Sequence, residues 1–264
     1  RYYHLKPSLM ENAIPLPLMF QRADLAFLAK APGFLSLFIT VVLLTLLWSR
    51  KETFSWFKSQ RITSAGIRWI VLIAWVCMSM NNIWKVPMYA GMDWTEHLKY
   101  IEYVASTWRL PLPSEGWQMF QPPLYYFISA LLYNILVPIF SWENVLVLLR
   151  IVPLACGALQ IELCWRAVRY AYPGREDLQI IGTVVGGLLP MNLYISQFIG
   201  NEPLSGCLSG LVVVLAIRYL RSPTAFSLRF FVLIGIFLGL ALLTKLTAIL
   251  LVPPVLLAII WANH

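Results

Sequence analysis

The stretch PPLYYFISALLYNILVPIFS, Pro122 to Ser141, decides how this chain is laid out. It is almost wholly apolar and long enough to cross a bilayer, which needs about 20 such residues. Counting it as a span reverses the side on which every later loop falls. Other long apolar runs are Gly33 to Trp48, Ile67 to Val86, Val145 to Val168, Leu178 to Ile199, Pro203 to Leu220, Arg229 to Thr244 and Leu246 to Ala262. They predict an all-α, multi-pass bundle of about seven membrane spans.

Composition agrees. The 264 residues are 59% hydrophobic and only 12% charged, about half the usual charged share of roughly 25%, which excludes an ordinary water-soluble domain. A net charge of +8 would suggest a nucleic-acid partner in a soluble protein, but here it is mostly topological. Arg50, Lys51, Lys58, Arg61 and Arg68 mark one loop, Arg166, Arg169 and Arg175 a second, and Arg218, Arg221 and Arg229 a third. Short loops rich in Lys and Arg stay on the cytoplasmic side. No nucleic-acid partner is expected. Cys77, Cys156, Cys164 and Cys207 lie in apolar segments with no close pair, as small buried hydrophobes would.

From Pro87 to Asn144 the only basic residues are Lys99 and Arg109, against Asp93, Glu96, Glu102, Glu115 and Glu143. That segment reads as extracytoplasmic. A full crossing by Pro122 to Ser141 would put the second and third arginine loops outside, so it is expected to be a re-entrant or surface-lying helix. Its Pro122, Pro123 and Pro138 suit a broken element lining a cavity. The expected layout is an extracytoplasmic N-terminal segment over residues 1–32 and two spans joined by a basic cytoplasmic loop over 33–86. An extracytoplasmic loop with the candidate active site follows over 87–144. The remainder, 145–264, is a bundle expected to continue past the end of the chain.

Gly91 to Leu110 (GMDWTEHLKYIEYVASTWRL) has helical periodicity. Trp94, Leu98, Ile101, Ala105 and Trp108 form an apolar stripe, and Asp93, Glu96, Tyr100 and Tyr103 another face. The helix is expected to lie flat on the membrane surface, with Asp93, Glu96 and His97 within one turn of each other. Two carboxylates and an imidazole can bind a divalent cation, or one carboxylate can serve as a general base. Asp93 followed by Glu96 is equally what an N-cap with its reciprocating acid looks like, and His97 alone suits a hydrogen-bonded side chain better than a ligand.

The same membrane face is expected to receive Gln121-Pro-Pro-Leu-Tyr-Tyr126, Arg150, Asn201-Glu202 and Lys245. Charges at such depth point to function by default. Arg150 and Lys245 suit a phosphate, or they snorkel to headgroups. Glu202 suits a site or a helix start.

The ordered set Pro87, Asp93, His97, Tyr100, Leu110-Pro111, Gln121-Pro-Pro-Leu-Tyr-Tyr126, Arg150, Asn201-Glu202-Pro203 and Leu243-Thr-Lys245 resembles the N-terminal half of the GT-C membrane glycosyltransferases. It is most similar to bacterial relatives of the dolichyl-phosphate-mannose protein mannosyltransferases and to the lipid A aminoarabinose transferases. The resemblance runs from about Trp69 to Trp261. It implies transfer of a sugar from a polyprenyl-phosphate donor to a lipid, glycan or protein acceptor, at the outer face of a bacterial cytoplasmic membrane.

By that resemblance Asp93, with Glu96 beside it, is the base or a metal ligand, and Arg150 and Lys245 face the donor phosphate. His97, Tyr100, Gln121, Pro122, Pro123, Tyr125, Asn201 and Glu202 line the substrate. A divalent Mg, Mn or Zn ion would sit at Asp93 and His97. The sequence departs from the family in having Asp93-Trp94 where adjacent acids are common, and Gln121 where the aminoarabinose enzymes have Lys. The competing expectations are a non-catalytic scaffold or subunit of a larger complex, or a transporter.

Overall fold

The computed structural model describes residues 63–83, 85–222 and 228–262. The expected N-terminal segment, the Gly33 to Trp48 span and most of the first basic loop fall outside these. The described residues are helical and contain no strand: α1 (Ser64–Ile83), α2 (Trp94–Thr107), α3 (Leu124–Leu136), α4 (Trp142–Leu149), α5 (Ile151–Ala171), α6 (Glu176–Gly187), α7 (Pro190–Ile195), α8 (Glu202–Arg221), α9 (Leu228–Leu242) and α10 (Val252–Ala262).

Among the described residues three helical stretches are long and apolar enough to cross a membrane: Ser64–Ile83, Trp142–Ala171 and Glu202–Arg221. Seven were expected. Part of the difference is a break: Leu178 to Ile199 stops at Gly187 and resumes at Pro190, because proline offers no N–H and crowds the carbonyl four residues back. The segment after Lys245 begins as a 3-10 turn, Leu246–Leu251, before α10, and α9 spans only 15 residues, about 22 Å at the usual rise. Ile70, Leu250, Leu257 and other large apolar side chains stay more than half exposed, a surface that water disfavours and lipid would cover.

Helix α5 is the hub and packs on α1, α6 and α8. Its neighbours fix the directions. Arg150, just before α5, bonds the Ile83 carbonyl at the end of α1, and Arg68 near the start of α1 pairs with Glu162, so α1 runs antiparallel to α5. Gly182 and Gly186 of α6 pack on Val168 and Cys164, again antiparallel; Gly206 and Gly210 of α8 meet Gln160 and Leu163, which is parallel. Small residues spaced four apart let these backbones approach. Trp75 is buried on Gly157, where a Cβ would come 2.6 Å from its ring. Cys156 and Cys207, 51 positions apart in sequence, lie within thiol hydrogen-bond range across α5 and α8. The proximity comes from helix packing, which spacing along the chain does not reveal, and both cysteines are free.

The bundle therefore has two ends. Ile83, Arg150, Asn201 and Lys245 lie at one; Ser64, Ala171 and Arg221 lie at the other, where Arg221 bonds the Tyr170 carbonyl at 3.0 Å. Pro122 to Ser141 begins at the first end. Leu124 N–H donates to the Leu243 carbonyl at 2.8 Å as α3 begins, and α4 brings the chain back to Arg150 and α1.

Candidate functional site

The paired prolines shape the entry to α3. Neither Pro122 nor Pro123 has an N–H, so Leu124 supplies the first backbone donor, and it reaches across to Leu243. Tyr125 and Tyr126 then point about 100° apart, as consecutive helical residues do. Tyr125 is fully buried and accepts a hydrogen bond from the Gly200 N–H at 3.0 Å. Tyr126 stacks on Tyr100 with ring centroids 3.7 Å apart, and its hydroxyl shares a 2.8 Å hydrogen bond with His97 Nδ1. Tyr100 in turn donates to the Gln121 carbonyl.

This stacking corrects the expected faces of α2. Its buried side is His97, Leu98, Tyr100, Ile101, Val104 and Ala105, while Trp108 is half exposed. Tyr100 belongs to the interior because α3, rather than lipid alone, covers the helix.

Asn201 is the tie between segments. It is fully buried, and its amide donates to the Thr244 carbonyl at 3.0 Å and to Gln121 Oε1 at 3.4 Å. Next to it, Glu202 Oε1 and Lys245 Nζ form an ion pair at 2.7 Å. Gly200 sits between that pair and α2: a Cβ there would come 2.7 Å from Glu202 Oε2 and 3.8 Å from His97 Nε2. A side chain there would push the Glu202 carboxylate aside. Tyr194 Oη donates to the Ala90 carbonyl at 2.7 Å, which anchors the loop leading to Asp93 on the same turn.

Asp93 holds a left-handed backbone, φ 54°, at the start of α2, and its side chain caps nothing. The capping-box alternative is therefore not realised: Glu96 pairs with Lys99 at 2.6 Å instead. The Asp93 carboxylate is exposed and accepts one long contact, 3.4 Å, from Gln118. Non-glycine residues in this backbone region are uncommon and collect at functional sites.

Burial dominates at His97. It holds the imidazole below its ordinary 6.5, with Glu202 and Asp93 pulling the other way less strongly. As pH falls through that ordinary value the unfolded chain takes up a proton that the native chain refuses, so stability drops with acid until the lowered native value is reached. The solubilised chain should melt at a lower temperature at about pH 5.5 than at about pH 7.5, and His97→Gln should flatten that slope. An unchanged slope in the variant would show that the acid sensitivity lies elsewhere.

The structure thus brings Asp93, His97, Tyr100, Gln121, Pro122, Pro123, Tyr125, Asn201, Glu202 and Lys245 to one neighbourhood. Arg150 is set apart. It is 2% exposed, with Nη1 donating to the Ile83 and Val86 carbonyls at 2.9 and 3.3 Å and Nε against Met88 Sδ. Sequence reasoning missed Gln118, which contacts Asp93, and placed Tyr126 in the motif without giving it the role it has, holding His97. The doubled Tyr125-Tyr126 was the available signal, since two adjacent aromatics in one buried turn face two different partners. No family model, curated protein or solved structure matches the chain.

Among the described residues no group of three or more His, Cys, Asp and Glu side chains is gathered for a metal. Asp93 and His97 would hold a Mg, Mn or Zn ion only if water or substrate oxygens completed its shell.

Proposed function

We propose that the chain is the membrane portion of a GT-C type glycosyltransferase, moving a sugar from a polyprenyl-phosphate donor to a lipid, glycan or protein acceptor. The observation that supports this reading is that one imidazole, His97, feels the charges of both the exposed Asp93 and the Glu202–Lys245 pair, groups 109 and more residues apart in sequence. In this reading Asp93 accepts the acceptor hydroxyl's proton as that oxygen attacks the anomeric carbon. The bond to the phosphate oxygen breaks, and Lys245 offsets the charge left on the lipid phosphate. Glu202 holds Lys245 in place, and Tyr126 fixes the ring of His97. A divalent ion, when bound, would supply Lewis-acid polarisation at Asp93 and His97.

The finer topology belongs to the same proposal. The shorter apolar helices α9 and α10 complete the bundle, Pro122 to Ser141 is re-entrant, and the Asp93 end faces outward from a bacterial cytoplasmic membrane. A membrane-impermeant thiol reagent applied outside the cell should label a cysteine at Ser114 and spare one at Gly174, both of which are exposed. Labelling of Gly174 from outside would invert the arrangement. The activity is tested by incubating the purified, membrane-reconstituted chain with radiolabelled polyprenyl-phosphate sugars and membrane acceptors. Transfer of label to an acceptor is the expected result; an inserted, folded chain that transfers none of the sugars offered would remove the enzyme reading in favour of a scaffold.

A further inference from the structure

At the end of the bundle opposite Asp93, a cavity of about 320 Å³ is lined by Arg68, Trp165, Arg166, Arg169 and Tyr170. We propose that it is a binding site for the phosphate of an anionic phospholipid headgroup. Its charge does not cancel. Glu162 bonds Arg68 Nη1 at 2.9 Å and Arg166 Nε at 2.6 Å, so one carboxylate serves two guanidiniums, and with Arg169 also lining the cavity the remaining charge is positive. The Arg68 guanidinium lies 4.4 Å from the Trp165 ring centroid and 4.6 Å from that of Trp69, and Arg169 lies 4.9 Å from Trp165. Cation–π contact of this kind holds the arginines in place without consuming their N–H donors.

Two donors remain unused. Arg68 Nε is buried without an acceptor among the described residues, and so is Nε1 of Trp165, a side chain only 6% exposed. A buried N–H left bare costs about 1–3 kcal/mol, and such a group in a native protein calls for an acceptor. Phosphate oxygens supply several, and guanidinium forks match them in geometry. Basic pockets between membrane helices on the arginine-rich side are where anionic headgroups bind, and the cavity suits a phosphate with a small polar substituent.

The test uses the full chain in detergent, equilibrated with dioleoyl phosphatidylglycerol or dioleoyl phosphatidylcholine, with retained lipid counted by native mass spectrometry. Phosphatidylglycerol should be held at least about tenfold more tightly than phosphatidylcholine. The double variant Arg166→Gln, Arg169→Gln should lose most of that preference. Trp165→Phe, which keeps an aromatic face but removes the indole N–H, should weaken it several-fold. Arg229→Gln, equally exposed on the same end, should leave it unchanged. Millimolar inorganic phosphate that displaces the lipid would show that the site takes phosphate from either source; failure to displace it confines the site to lipid. Equal retention of the two lipids, or an Arg229→Gln loss as large as the double variant's, would overturn the proposal. None of these readouts depends on transferase activity.

Discussion

Asp93→Asn should lower the rate of sugar transfer by about 10²–10⁴-fold, the usual contribution of a positioned general base, while the chain still inserts and melts as the wild type does. The stability half follows from geometry. The carboxylate is exposed and makes only the 3.4 Å contact with Gln118, and asparagine tolerates the left-handed backbone at φ 54° as well as aspartate does. Alanine there would mix lost chemistry with backbone strain, so it is the poorer probe. Glu96→Gln is the control, because that side chain is paired with Lys99 on the surface, and exposed pairs contribute little. It should leave transfer within a few-fold of wild type. Were Glu96→Gln inactive and Asp93→Asn active, the base would be Glu96 and the proposed role of Asp93 would fall.

Arg150→Met should damage the fold rather than donor binding alone. Methionine roughly fills the space but leaves the Ile83 and Val86 carbonyls without the donor they now share. Each such orphaned group costs about 1–3 kcal/mol when buried. A cation beside the carbonyls that end a helix also complements its dipole, so Arg150 stabilises the junction between α1 and α5 twice over. The measurement is the melting temperature of the solubilised chain without any donor lipid. A variant that melts like wild type but binds polyprenyl phosphate less tightly would return Arg150 to the phosphate role suggested by the family resemblance.

Much of this arrangement was legible in the sequence. The apolar helices themselves were legible, since hydropathy depends only on local composition, and three of them are long enough to span among the described residues. The segments that meet near Asn201 were also identifiable, because buried polar residues in apolar surroundings stand out. Less legible was what each side chain does on arrival. Arg150 has the same sequence context whether it binds phosphate or caps a helix; only the position of Ile83 decides. Tyr100 sits on the polar face of an isolated α2 and enters the core only because Tyr126 arrives from α3 to stack on it. Span lengths were overestimated for a related reason. Hydropathy does not register where Pro190 ends a helix or where Leu246–Leu251 tightens into a 3-10 turn.

The Leu124 to Leu243 hydrogen bond and the ties from Asn201 also set a timetable. The partner of Gln121 emerges from the ribosome 80 residues after it, and the partner of Leu124 after about 120 further residues, on the order of ten seconds at ordinary synthesis rates. Until Leu243 arrives, α3 starts without an acceptor for its leading N–H. The Asn201 end of the bundle is consequently the last part of this region to take shape during biogenesis. Folding intermediates halted before α9 inserts should carry an open, water-filled loop in place of the site.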